Sequence, residues 1–420
     1  MDKFIQYLVL VLFPFYPLWA WLSTSLTKIY IDKIVILILL PIAVYYVFIQ
    51  KIKLSKYLIF FLIFTVYHLV LVYVKDLIPA NTNWLFYILS DTNVLACIAF
   101  FIIENTHFDE KFIRKMNNCI FAIIIITLIV SVIQIKFPNF FLSPKLTGDP
   151  TNYLYVEQNR KFSIYSWMDL NSIGISFPIL ISILLSIGSM EKITFPMTVV
   201  SGIVVSFLTR ARYVMLSAII VFSQLFFVSK IDFRKKVYIM LILLFSIIAI
   251  TAVAKVYNYD IGKVIDERIL ERGTNLASAR ARVTSYEVFM IKFPEHPWFG
   301  VGPATGLDVV QLLRGQATII HIGYLSYLYF YGIIGSIFFF LSIFFLLRNS
   351  WLIGKKHMFW GSFYGLVSFC IANATLVYFN LSEMGILLAV IYMKYYTDKS
   401  SLELPGFKKP QEIIEETVND

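Results

Sequence analysis

Apolar runs of about twenty residues recur from one end of this chain to the other, and they constrain the fold more than any motif does. The first, FIQYLVLVLFPFYPLWAWL over 4–22, sets the pattern. A helix needs roughly 20 predominantly apolar residues to cross the hydrocarbon core, and only helices or closed barrels satisfy every backbone group there. On that criterion the sequence predicts about twelve transmembrane helices, at 4–22, 34–49, 57–74, 84–103, 118–137, 171–190, 193–209, 213–229, 237–254, 321–347, 358–378 and 382–396. The expected fold is therefore an all-α polytopic membrane protein, one transmembrane domain over 1–396 with a polar tail over 397–420. With 59% hydrophobic and only 15% charged residues among 420, a water-soluble domain is excluded.

Charge has to be divided by membrane side before it carries meaning. The net charge of +10 is thus no sign of nucleic-acid binding. With the N-terminus inside, the expected cytoplasmic connections hold Lys51, Lys53, Lys56, Lys111, Arg114, Lys115, Lys192, Lys230, Arg234, Lys235, Lys236, Arg348, Lys355 and Lys356. The short outer connections hold only Lys28, Lys33, Lys75, Arg210 and Arg212, so the positive-inside rule places both termini in the cytoplasm. The first apolar run is longer than a signal-peptide core and has no small-x-small cleavage site, so it is read as a retained span. Cys97, Cys119 and Cys370 each lie inside an apolar run, which suggests neither a disulfide framework nor a thiol metal site.

Two outer loops are long, 138–170 and 255–320, and long loops in a compact architecture are usually functional. The second carries Lys255, Lys263, Arg268, Arg272, Arg280, Arg282, Lys292 and Arg314. Within it, 276–293 fits a helix ended by Pro294, with Ala279, Val283, Tyr286, Met290 and Phe293 on one face and Arg282 beside Phe289 and Phe293 at its margin. Between the seventh and eighth runs, Leu208-Thr-Arg210-Ala-Arg212 is so short a turn that both guanidinium groups lie at or just below the outer interface. Arg there either snorkels to lipid headgroups or faces an anion. The planar guanidinium fork suits a diphosphate, so clustered outer Arg point to a pyrophosphate-bearing substrate at the membrane surface. A lipid-linked sugar has that shape.

His321 stands where the polar loop meets hydrocarbon. It is placed either to accept a proton from an attacking hydroxyl or simply to hydrogen-bond at the interface. His296, followed by Pro297 and the Gly300-Val-Gly302 turn, reads as a structural loop residue. His68, Asp91 and Asn93 are intramembrane polar groups, either lining a cavity or hydrogen-bonding between helices. There is no His-Glu-x-x-His, phosphate-binding P-loop, Gly-x-Ser-x-Gly or paired-Asp motif on an outer loop, so neither a metal nor a cofactor is expected.

Four separated motifs resemble those of the O-antigen ligase and Wzy-type polymerase superfamily, membrane glycosyltransferases of the GT-C type. They are Arg160 through Asn171-Ser-Ile-Gly174; Leu208-Thr-Arg-Ala-Arg212; Arg282, Tyr286 and His296-Pro-Trp-Phe-Gly300-Val-Gly302; and His321, Tyr324, Leu325, Gly332 and Gly335. They span roughly 155–345, with Ala211, Tyr286 and Ile322 departing from the family's usual Ser, Trp and Asn. The resemblance implies that Arg212 and Arg282, with Arg210 and Arg280 nearby, hold the pyrophosphate of an undecaprenyl-linked glycan. It implies that His321 is the general base on an acceptor sugar hydroxyl, with Arg160, Asn171 and Tyr324 as further substrate contacts and His296, Gly300 and Gly302 shaping the loop. The expected activity is inverting, metal-independent polymerisation of repeat units at the outer face of a bacterial inner membrane, beside a chain-length regulator; ligation to a lipid A core is the alternative. A flippase would instead show an internal repeat and midplane ionisable groups. A scaffold subunit gives no account of the paired Arg and boundary His.

Overall fold

The computed structural model describes residues 2–26, 31–49, 52–78, 83–89, 91–141, 161, 163–165, 170–187, 194–209, 211–227, scattered positions between 237 and 252, 276–303, 320, 322–374 and 380–402. Every regular element among them is helical. In chain order these are α1 (Asp2–Leu12), α2 (Tyr16–Leu26), α3 (Ile31–Ile49), α4 (Lys56–Val74), α5 (Trp84–Ile88), α6 (Thr92–Asn105) and α7 (Glu110–Lys136). There follow α8 (Leu170–Ile187), α9 (Thr194–Leu208), α10 (Arg212–Phe227), α11 (Leu276–Lys292), α12 (Gly323–His357), α13 (Gly361–Ala372) and α14 (Met384–Leu402).

The expectation of about twelve spans is overturned. Among the described residues, three helices are long and apolar enough to cross a membrane, α4, α7 and α12; they become four if α1 and α2, bent by 68° at their junction, count as one broken span. Apolar runs count residues, whereas a span also needs an unbroken backbone, and several runs are broken. The run over 84–103 divides into α5 and α6 because Asp91 caps α6, its carboxylate accepting the Asn93 and Val94 N–H groups. The runs near 193–209, 213–229 and 358–378 hold α9, α10 and α13, of 15, 16 and 12 residues, and in the runs near 34–49 and 171–190 the apolar stretches among the described residues are Ile34–Phe48 and Ile173–Ile187. The last run becomes α14, which carries Lys394, Asp398 and Lys399.

Helices α8 and α14 form the centre. Along α14, Ile386, Leu388, Ala389, Val390, Ile391 and Tyr392 are all fully buried, the signature of a helix surrounded by others. Small residues allow the close approach: a side chain at Gly385 would come within 2.7 Å of the Ser176 backbone, and one at Gly361 within 2.7 Å of Ile183. Large apolar side chains such as Phe48 and Phe227 face outward, as lipid-facing surfaces do.

Helix α12 is interrupted at Gly332, whose φ of 62° and ψ of −171° leave the helical region. A break of this kind strands two carbonyls above it and two N–H groups below it. The loop following α11 supplies all four partners. Val301 and Gly302 donate to the Tyr329 and Phe330 carbonyls at 3.1 and 2.8 Å, while Ile333 and Ile334 donate to the Pro297 and Trp298 carbonyls at 2.8 and 3.1 Å. Tyr67 of α4 completes the joint, its hydroxyl shared between the Phe299 and Tyr331 carbonyls at 2.9 Å each.

Candidate functional site

The end of the bundle that carries this joint also gathers buried polar groups. Ser163 sits in a short 3₁₀ turn with φ of 54° and is held by α7, its N–H donating to Gln134 Oε1 at 2.8 Å and its hydroxyl to the Thr127 carbonyl at 2.6 Å. That anchorage directs the end of the first long loop into the bundle. Lys161, only 2% exposed, then donates its backbone N–H to the Leu208 carbonyl at 3.2 Å, beside the turn that opens α10.

Ala211 is buried and its carbonyl accepts from Val214 and Met215, so α10 begins at Arg212. Arg212 is partly buried at that first helical position. A cation there opposes the positive end of the helix dipole, which an anionic ligand would reconcile. Its neighbour Tyr213 packs so tightly on Gly174 of α8 that an added methyl there would sit 2.1 Å from the ring. Gly174 in the Asn171-x-x-Gly174 motif is thus the seat for the residue next to Arg212.

The start of α12 docks on the end of α13. The Gly323 N–H donates to the Asn373 carbonyl at 3.0 Å, and the Tyr324 hydroxyl to the Cys370 carbonyl at 2.7 Å. The Tyr324 hydroxyl thereby anchors the turn that follows His321. Nearby, Glu383 lies 5% exposed at the head of α14; one carboxylate oxygen accepts from the Ser176 hydroxyl at 3.2 Å, and that hydroxyl accepts from the Gly385 N–H at 3.2 Å. Sequence reading missed Glu383, because it stands at the edge of an apolar run; a lone acid heading such a run is the signal that would have found it. Among the described residues, the buried Asn373 Oδ1 has no hydrogen-bond partner. Buried unpaired polar atoms are costly, and a polar ligand would relieve them.

The helix expected over 276–293 runs over Leu276–Lys292 and ends in a 3₁₀ turn, Phe293–Glu295. Ser285, Val288 and Phe289 are buried, with Phe289 packed against Ile320 and Tyr329. The apolar positions Val283, Tyr286 and Met290 are more than half exposed, so that face of α11 turns away from the protein. Arg280 and Arg282 lie on this helix, but the side chains of 276–282 are outside the described residues. So are Arg160, Arg210 and His321, and the side chain of Asn171. His296 is exposed; its carbonyl accepts the Gly300 N–H at 3.0 Å. Gly300 and Gly302 have φ of 71° and 96°, and a methyl on Gly300 would meet the Phe330 oxygen at 2.3 Å. Both glycines are required by the joint.

Compared with known families, residues 197–340, from α9 into α12, match the family described as O-antigen ligase. This agrees with the resemblance read from the motifs and supports a membrane enzyme of the general O-antigen ligase or polymerase type. No curated protein matches the chain.

Proposed function

We propose that this chain is a surface-polysaccharide polymerase that transfers glycan from an undecaprenyl-pyrophosphate donor to an acceptor sugar hydroxyl, with inversion and without a metal. The observation that carries the reading is the gathering at one bundle end of Lys161, Arg212, Glu383 and the start of α12, inside and beside the segment that matches the family. Arg212 and Arg282, with Arg210 and Arg280, bind the diphosphate; Arg160, Asn171 and Tyr324 add contacts. His321 takes the proton of the acceptor hydroxyl as its oxygen attacks the anomeric carbon. The bond from that carbon to the phosphate oxygen breaks, and undecaprenyl pyrophosphate leaves. In this reading the site opens on the outer face of the bacterial inner membrane, both termini are cytoplasmic, and a chain-length regulator is a partner.

Purified protein given a lipid-linked repeat unit should lengthen the glycan and release undecaprenyl pyrophosphate, and it should do so in excess EDTA. Loss of turnover on chelation, restored by magnesium or manganese, would show a required metal and end that part of the reading.

Ligation to a lipid A core is the second reading, favoured by the description of the matching family. It uses the same donor and differs in the acceptor. Deleting the gene separates them: a polymerase mutant still attaches a single repeat, whereas a ligase mutant attaches none and accumulates full-length polymer on its carrier.

A further inference from the structure

Beneath the loop–helix joint lies a buried polar relay that the reaction described above does not use. His68 of α4 places Nε2 2.8 Å from Asp91 Oδ2 and Nδ1 3.1 Å from the Tyr331 hydroxyl. The His68 and Asp91 side chains are 3% and 9% exposed, and Tyr331 is 4% exposed. The other carboxylate oxygen of Asp91 is committed to the cap of α6, accepting from Asn93 and Val94 at 2.9 and 3.1 Å. The carboxylate is therefore fixed in direction by one helix while it orients a ring on another.

That arrangement sets the tautomer. Asp91 can only accept when ionised, so Nε2 carries the proton, and Nδ1 is left to accept from the Tyr331 hydroxyl. Tyr331 is the residue immediately before the break at Gly332. Its phenol is held by His68, and its carbonyl by the adjacent Tyr67. Two successive residues of α4 thus grip both the side chain and the main chain at the break, and Tyr67 grips the loop as well through Phe299. Gly335 makes room, since a methyl there would meet the Tyr67 ring at 2.4 Å.

Burying three polar groups where an apolar trio would pack costs desolvation, so a purely adhesive role is a poor account of them. Geometry supplies a better one. The break leaves Gly323–Tyr331 as a short helical segment, and isolated helices under about 12–15 residues are marginal. This segment begins just after His321. We propose that Asp91, His68 and Tyr331 are positioning residues: the relay fixes the break at Gly332 and, through it, both the His296–Gly302 loop and the Ile322–Tyr324 turn. The proposal rests on the reading of this bundle end as the reactive one.

The test combines amide exchange followed by mass spectrometry with turnover, on the full chain in micelles. Tyr331→Phe, which removes one oxygen, and Asp91→Asn, which upsets the tautomer, should each speed exchange at Val301, Gly302, Ile333 and Ile334 about tenfold, the effect of one buried hydrogen bond. Exchange in α8 and α10 should not change. With a lipid-diphosphate glycan donor, kcat should fall while KM holds, and the double variant should be no worse than either single one. His68→Gln, whose amide can donate to Asp91 and accept from Tyr331, should regain the protection that His68→Ala loses. Unchanged exchange at the joint, a parallel rise throughout α8 and α10, or undiminished kcat with an opened joint would each overturn the proposal. If the unaltered protein does not turn over that donor, the glycosyl-transfer reading falls, and the exchange pattern with the Gln rescue judges the positioning role by itself.

Discussion

His321→Ala should slow glycosyl transfer by about 10²–10⁴, the usual contribution of a positioned general base, while leaving donor binding intact. Single-turnover rates and donor affinity, measured on the same preparation, separate the two quantities. The expectation follows from the chemistry of the acceptor: a sugar hydroxyl is a weak nucleophile until its proton has somewhere to go. Arg282→Lys gives the complementary result. The ammonium keeps the charge but loses the bidentate fork, so donor affinity should fall well beyond a conservative exchange. If His321→Ala lost donor binding and kept its single-turnover rate, the base assignment would be wrong and His321 would be a binding residue.

Gly332→Ala should be among the most destabilising single substitutions in the chain, with Gly300→Ala close behind. Each position has a positive φ, and each new methyl would lie 2.3 Å from a main-chain oxygen of the opposite segment, Trp298 for Gly332 and Phe330 for Gly300. A positive φ of this kind costs a side-chain-bearing residue about 1–3 kcal/mol, and overpacking typically adds about 1–3 kcal/mol. Neither oxygen can yield without giving up a hydrogen bond that closes the break. Thermal unfolding in detergent should show a large drop for both variants. Ile337→Ala, at an outward-facing position on the same helix, should stay within about 0.5 kcal/mol of the unaltered protein. A Gly332→Ala protein as stable as the Ile337 control would mean that the break is not maintained in solution.

Some of this was legible in the residues. The apolar runs announce helices, Pro294 ends α11 within two residues of its predicted limit, and the Gly300-Val-Gly302 pattern marks a turn that only glycines can make. Span number was not legible, because hydropathy is blind to the caps and bends that stop a helix: Asp91 reads as one polar residue in an apolar run, yet it starts a new element. Nor was the facing of α11. In water an apolar stripe goes inward, but near a bilayer apolar groups are equally at home outside, and Val283, Tyr286 and Met290 turn away from the protein. His68 and Asp91 were each visible as intramembrane polar groups, but nothing in their spacing announces that one caps a helix and orients the other. Glu383 escaped because it stands at the head of a run that is otherwise largely apolar.

The closed break in α12 also bears on the order in which the protein is put together. The residues that meet there, Pro297–Gly302 and Tyr329–Ile334, are near neighbours along the chain, and closing an intervening loop of that length costs little more than closing one half as long. A nascent chain elongated just past Ile334 already contains both halves of the joint, and Tyr67 and His68 were made long before. The interrupted backbone can therefore be satisfied as soon as it leaves the ribosome and enters the lipid, ahead of α13 and α14. An intermediate with stranded peptide groups in hydrocarbon never has to wait for the C-terminal helices to rescue it.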